Sequence, residues 1–305
     1  MKIRGPLFTA IFATLLLSCN PPRPKMAICI SPAREPGAFV VCISGHGSSR
    51  SFLFSATTVA PMDMEGYSEL LSLEKEGWVG VRSGSHDLAL LDDGFIYLKS
   101  LEFQGINIAK SPLPNSVLAA VYLERRARPF GGTSRYNASL RAFDYSKGVS
   151  TDVDTGYIDI NSSVIESPTG IIVVGKRIDQ DVSEDQKVWW LKYSNGRWIR
   201  SAIRNQDRLS SLRSRFSDGA FLGLRLNKTH GLYTDDLCRV SFDASSSSMT
   251  SQVIAEFPYT RDAVLDSSKT FCGAAVEIEG TQVLIVYDLT NGKRVQEVDV
   301  ETLMK

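Results

Sequence analysis

From residue 26 onward the chain is written in short apolar runs. They are four to eight residues long, rich in Val, Ile, Phe, Tyr and Trp, and separated by clusters of Gly, Ser, Asn and Asp. β-Branched and aromatic residues suit a pleated, half-buried surface, and the small polar residues supply the turns between such strands. Apolar positions at a helical period are scarce. The best candidate, Glu69–Lys75, spans less than two turns. The pattern therefore predicts an all-β chain.

The runs also repeat. A tight turn leading into a strongly apolar strand occurs six times: Pro36–Ile43, Glu76–Val81, Pro114–Val121, Thr169–Val174, Asp218–Leu224 and Lys269–Val276. With Gly37, Gly77, Asn115, Gly170, Gly219 and Thr270 as markers, the spacings are 40, 38, 55, 49 and 51. A second landmark, a strand ending in a polar turn, follows in step at Leu91–Gly94, Phe143–Gly148, Tyr193–Gly196, Phe242–Ser246 and Tyr287–Gly292. A four-stranded sheet of this size cannot hide its own apolar faces, so such units pack face to face around an axis. Six markers predict a β-propeller of six blades, each of four antiparallel strands. Seven is the alternative, since the short first spacings leave blade 1 open to being incomplete. A pair of β-sandwiches would carry no regular period. The continuous apolar strands, such as Gly170–Gly175, are expected near the axis and covered on both sides.

Phe216-Ser-Asp-Gly-Ala-Phe-Leu-Gly-Leu and Val264-Leu-Asp-Ser-Ser-Lys-Thr-Phe-Cys-Gly-Ala-Ala resemble the step shared by WD40-like and TolB-like β-propellers. Val286-Tyr-Asp-Leu-Thr-Asn-Gly-Lys resembles the turn between the third and fourth strands of the same blades. The resemblance covers most of residues 26–299 and implies architecture alone. The Gly-His and Trp-Asp dipeptides of true WD40 repeats are missing from their usual places.

The N-terminus is of another kind. Lys2 and Arg4 precede an apolar run of 11 residues, Leu7–Leu17, which ends in Leu16-Leu17-Ser18-Cys19. The run is too short to span a bilayer core as a helix and fits the apolar region of a secretory signal. Its ending resembles the lipobox of bacterial lipoproteins, which implies removal of residues 1–18 and acylation of Cys19. Several acyl chains make such an anchor durable. In Gram-negative lipoproteins an Asp after the cysteine favours inner-membrane retention. Asn20 stands there, so the resemblance implies the periplasm and the outer membrane rather than the inner. Residues 19–25, with Asn20-Pro-Pro-Arg-Pro-Lys25, read as the lipidated cysteine and an extended tether. Residues 26–305 read as a single propeller domain.

Removing 18 of 305 residues leaves 287, enough for one large all-β domain. The formal charge falls from 0 to about −2, because the signal holds two basic and no acidic residues. No global field recommends nucleic acid or anionic lipid as a partner, which leaves the lipid anchor as the expected membrane contact. Cys29, Cys42, Cys238 and Cys272 remain besides Cys19. An even number in an oxidising compartment permits disulfides. A Cys29–Cys42 bridge would join neighbouring strands of one repeat, whereas Cys238–Cys272 would have to link two repeats. No pair has metal-ligand spacing such as C-x-x-C.

Labelling each blade's strands a to d, the a–b and c–d links read as mostly tight turns. The b–c and d–a links carry the insertions and emerge on one rim, the expected working face. One loop there, Glu124–Tyr136, holds Arg125, Arg126, Arg128 and Arg135 beside Phe130 and Tyr136. The next repeat's loop, Arg177–Gln186, holds Asp179, Asp181, Glu184 and Asp185, and Asn227–Asp236 brings His230, Tyr233 and Asp235. Arginine and aromatic side chains suit an interface because they join contact area to directional donors.

Catalytic patterns are thin. His46 lies in Gly45-His-Gly-Ser-Ser49, which is not G-x-S-x-G and sits between two strands rather than at a strand-to-helix elbow. His86, at a strand start, and His230 have no partners visible in sequence. Glu184 occupies the place where an EF-hand loop after Asp179 needs Gly. These readings predict no cofactor, no metal and no catalysis. The expected role is a membrane-anchored envelope lipoprotein that binds an envelope or secreted protein through one face. It would be a scaffold or accessory subunit, or an immunity protein against a secreted antibacterial effector. The alternative is a periplasmic hydrolase or lyase with its site at the propeller mouth.

Overall fold

A computed structural model describes residues 26–45, 48–64, 66–73, 77–126, 135–153, 158–159, 162–167, 170–175, 188–205, 207, 209–229 and 232–305. The described strands pair in chain order as six antiparallel sets, the last three of which are continuous as one eleven-stranded sheet through a shared strand and a short parallel contact. The first holds β1 (Ala27–Pro32), β2 (Ala38–Gly45), β3 (Ser48–Ser55) and β4 (Val59–Met62). The second holds β5 (Tyr67–Ser72), β6 (Trp78–Arg82), β7 (Asp87–Leu91) and β8 (Tyr97–Gln104). The third comprises β9 (Ile106–Lys110), β10 (Ser116–Arg126), β11 (Arg135–Asp144) and β12 (Val149–Asp152), with the short β13 (Ile158–Asp159) beside β11. The fourth comprises β14 (Ser163–Ser167), β15 (Gly170–Val174), β16 (Val188–Ser194) and β17 (Arg197–Asn205). The fifth has β18 (Leu209–Arg215), β19 (Phe221–Thr229), β20 (Leu232–Asp243) and the first part of β21 (Ser248–Leu265). The second part of β21 opens the sixth, followed by β22 (Phe271–Ile278), β23 (Thr281–Asp288) and β24 (Lys293–Asp299). A single turn of helix, α1 (Val300–Leu303), ends the chain.

The arrangement is propeller-like, and its cause is visible in the burial. Six apolar clusters occupy the six seams between neighbouring sheets. Along β15, Ile171 and Val173 pack against the third sheet, while Ile172 and Val174 pack against the fifth. Both faces of the strand are thus covered, which is why its residues read as a continuous apolar run. The position of these strands differs from the sequence expectation. They are the second strand of each sheet, while the first strands, β1, β5, β9, β14, β18 and the end of β21, line the axis. An axial strand is an edge strand facing a channel, so it alternates polar and apolar residues instead of being apolar throughout.

Glu69–Ser72, the start of the best helical candidate, is part of strand β5, as the all-β pattern requires, and Leu70 reaches the seam with the first sheet. Two further expectations change. The first sheet has all four of its strands, and the early markers are close because strands there are short: β6 and β7 have five residues each, against nine in β19 and twelve in β20. Finally, insertions are confined to fewer links than expected. The β2–β3, β19–β20 and β22–β23 connections have two residues each, one residue separates β8 from β9, and β21 runs from the fifth sheet into the sixth unbroken.

The ring is closed by the two ends of the chain. Met26, with Phe39 and Phe54 of the first sheet, shares a core with Leu284 and Val286 of the last sheet and Val300 of α1. Gln282 accepts the amide of Met26 and donates to its carbonyl, both at 2.9 Å.

Glycine is required at two of the sequence markers. Gly77 has φ +92°, and a Cβ there would stand 2.1 Å from the carbonyl oxygen of Leu91. At the equivalent place in the fourth sheet, a Cβ on Gly170 would meet the Leu191 oxygen at the same distance. In both, the turn into the second strand passes directly over the end of the third.

Candidate functional site

Two regions qualify, the rim that carries the long links and the channel. Alternation of strand direction puts every b–c and d–a link on one rim. The long ones are 127–134 and 175–187, both b–c, and the segment from 153 to 162 that leads to β14. All three belong to the third and fourth sheets. On the other rim the c–d turns are short, and those after β7, β11, β20 and β23 are locked by aspartates. Asp144 Oδ1 accepts the amides of Ser146 and Lys147 at 3.0 and 3.1 Å. Asp243 and Asp288 hold the equivalent turns through Ser245 and Thr290. These side chains compete for backbone amides and so stabilise turns. Hydrogen bonds to Lys147 and Ser146 hold the Asp144 carboxyl well below the usual carboxylate range, and those to the Ser245 and Ser246 hydroxyls hold Asp243 at about 2.

The candidate partner residues divide. Arg125 and Arg126 lie on β10, opposite Tyr136 and Arg135 on β11. That hairpin is strand through Arg126 and again from Arg135, so within the predicted loop 124–136 only residues 127–134 lie outside the two strands. Tyr233 stands opposite Lys228 in an equally extended β19–β20 hairpin, where a loop was expected. Pairing continues because alternating residues with free edges gain backbone hydrogen bonds by doing so. Arg128, Phe130, Asp179, Asp181, Glu184, Asp185 and His230 lie outside the described residues, as do Cys19 and His46. Asp235 is a correction to the expected rim contacts. It is only 3% exposed, and its Oδ2 accepts the amide of Thr260 at 2.6 Å. Thr260 lies where β21 passes from the fifth sheet to the sixth, so Asp235 pins that crossing. Burial pushes its carboxyl up to about 6, against the pull of the Thr260 amide.

The channel has a volume of about 1380 Å³, and all six axial strands line it. Its charged groups went unnoticed in the sequence. Glu69 Oε1 and Oε2 accept the amides of Asn107 and Ile108, each at 3.0 Å, and burial raises its carboxyl. Asp262 Oδ2 accepts the amide of Ile30, while its Oδ1 lies 3.5 Å from Arg213. Arg261 reaches Glu277 at 3.2 Å. The only available signal was a charged residue inside an otherwise strand-like run, and that also describes any solvent-facing position. Among the described residues no group of three or more His, Cys, Asp or Glu is placed to hold a metal ion.

No protein-family profile matches the chain, and no curated protein does so. Solved structures do match, at the level of fold. TolB from Acinetobacter baumannii has a TM-score of 0.54 at 14% identity, covering 90% of this chain and 63% of its own. An oligogalacturonate lyase in complex with manganese gives 0.51 at 11%, covering 88% and 77%. Hydrazine synthase from Kuenenia stuttgartiensis gives 0.54 at 12%, covering 86% and 76%. At these identities the likeness establishes a shared architecture, which hosts unrelated activities.

Proposed function

We propose that this chain is a lipid-anchored protein of the bacterial envelope that binds a protein partner through the rim bearing its b–c links. The observation that carries the reading is the asymmetry of the two rims. The strand ends that bound the long links 127–134 and 175–187, and the extended β10–β11 and β19–β20 hairpins, lie on one side of three consecutive sheets. The turns of the opposite side are short and internally bonded. A ring of packed sheets presenting its long links along one edge is an arrangement by which scaffolds carry binding function. The signal and lipobox pattern at residues 1–19 supports the periplasm and an outer-membrane anchor, and TolB is one of the proteins that share the architecture. Within this reading the chain serves as a scaffold or accessory subunit, or as an immunity protein that caps a secreted antibacterial effector.

A second reading, an envelope hydrolase or lyase, draws support from the raised carboxyl of buried Asp235 beside the channel. Against it, Glu69, Asp262 and Asp235 are each engaged by backbone amides of a neighbouring strand, which suits cross-links better than acid–base catalysts.

The test is capture of a partner from an envelope extract by the full-length chain and by an Arg125→Glu, Arg128→Glu double variant. Loss of capture with a melting temperature within about 2 °C of the parent is expected, since surface substitutions seldom alter stability by more than ~0.5 kcal/mol. Undiminished capture would remove the arginine hairpin from the interface.

A further inference from the structure

Cys29 of β1 and Cys42 of β2 are direct register partners in an antiparallel pair. Directly opposed residues in such a pair have Cα atoms about 4.5 or 5.5 Å apart, according to which kind of pair they form. Both values fall within the range a disulfide accepts. The two side chains leave the sheet on the same face, where Cys42 belongs to the core between the first and second sheets and Cys29 packs against it. Ser51 of β3 continues the same row, its Oγ 3.5 Å from Cys42 Sγ. The other two thiols have no such relation. Cys238 lies in the seam between the fourth and fifth sheets and Cys272 in the seam between the fifth and sixth, and their register partners are not cysteines.

We infer that Cys29 and Cys42 form a cross-strand disulfide that locks β1 into its sheet, and that Cys238 and Cys272 stay thiols. In the structure all four are free. The bridge forms by exchange with a disulfide oxidant such as oxidised glutathione. One cysteine thiolate attacks the oxidant and expels a thiol, giving a mixed disulfide. The second attacks the protein sulfur and expels the other thiol. The pair is oxidised by two electrons, the oxidant is reduced to two thiols, and the two cysteine protons pass to the thiols released. Burial raises both cysteines, Cys42 to about 11, so thiolate is scarce in the closed ring and the exchange accompanies folding.

The consequence concerns ring closure. Among the described strands β1 comes first and pairs with β2 alone, and its Ile30 together with the preceding Met26 holds the seam to the last sheet. A load applied through the chain before residue 26 would peel β1 from β2 starting at Ala27, and a bridge at Cys29 stops that peel at the third residue.

The experiment is refolding of the full-length chain in a glutathione redox buffer, followed by alkylation, digestion and mass spectrometry. A cross-linked peptide containing Cys29 and Cys42 is expected, with Cys238 and Cys272 recovered as alkylated thiols. Recovery of Cys29 and Cys42 as alkylated thiols would overturn the inference, and so would a bridge involving any other pair. A second measurement compares the melting temperature of the oxidised protein with that of the same protein after reduction. A loss of about 5 °C is expected on reduction, and a Cys42→Ala variant should show no change on adding reductant. Equal melting temperatures for the oxidised and reduced parent would show that the pair does not staple β1.

Discussion

Asp262 in the last sheet accepts the amide hydrogen of Ile30 in the first at 3.0 Å, and similar polar contacts recur at other seams around the channel. Glu69 takes the amides of Asn107 and Ile108 in the third sheet. Ser163 takes that of Leu212 and Ser214 that of Leu265, at 3.0 and 3.1 Å, while Ser31 donates to the carbonyl of Leu70. An axial strand is an edge strand, and its unpaired backbone groups would otherwise be a liability. Here a side chain of one sheet satisfies the next, so one set of bonds both covers the edge and fastens the ring.

Asp262→Ala should therefore cost more than loss of one surface carboxylate. It strands a part-buried amide and removes a partner from Arg213, which together amount to about 2–3 kcal/mol. Urea denaturation should register this as a lower midpoint with an unchanged slope. A loss below ~0.5 kcal/mol would mean that closure rests on the apolar seam alone.

Asp235 makes stability depend on pH in a definite direction. Its folded value of about 6 lies above the unfolded value of about 4. Between those limits the native protein keeps a proton that the unfolded chain has released, so this group's contribution falls as pH rises from 4 to 6 and is level above. Asp235→Asn keeps an acceptor for Thr260 without the charge. Its stability relative to the parent should climb by on the order of 2 kcal/mol from pH 4 to 7, read from urea melts at each pH. A difference that stays constant with pH would contradict the assignment.

Asp266 should behave in the opposite sense. It is fully buried, which by itself would push its carboxyl up. The Ser268 hydroxyl and the amides of Phe271, Gly37 and Ser268 outweigh burial and hold it low. Its contribution is present above about pH 4 and is lost as pH falls through the folded value. Asp266→Asn should be destabilised at pH 7 by about 2–3 kcal/mol, and the gap to the parent should narrow below pH 4. A gap that widened on acidification would be incompatible with these bonds.

The glycine markers should differ in their tolerance of alanine. At Gly77 a methyl group collides with the Leu91 carbonyl and the backbone is left-handed, so Gly77→Ala should cost several kcal/mol, about 3 or more. At Gly219, with φ +90° and nothing within 4 Å of a Cβ, the cost should be backbone strain alone, about 1 kcal/mol. Thermal melts of the two variants rank these sites, and equal losses would count against the close approach at Gly77.

Much of the architecture was legible from residue order. The alternation of apolar runs and turns identified strands, and the six apolar markers fell on β2, β6, β10, β15, β19 and β22, the second strand of every sheet. These strands are legible because both faces of their first few residues are buried, as at Ile171–Val174 and Cys272–Val276, so that stretch reads as an apolar run. The c–d turns were legible through their aspartates, whose bonds are local. The channel role of Glu69 was not legible, because only the neighbouring β9, whose amides it accepts, gives its carboxylate a partner. Asp235 was misread as a rim contact because nothing in its own hairpin signals that Thr260 lies above it.

Residue order by itself determined the strand content, the repeat, the turn chemistry and the pairing of Cys29 with Cys42 on adjacent strands, since each depends on interactions within a few tens of residues. Tertiary structure alone decided which strands face the axis, how residues 26–32 meet residues 259–286 to close the ring, and which carboxylates are buried. Those outcomes rest on contacts between segments as much as 256 residues apart, where a side chain's environment is set by a neighbour that its own stretch of sequence does not encode.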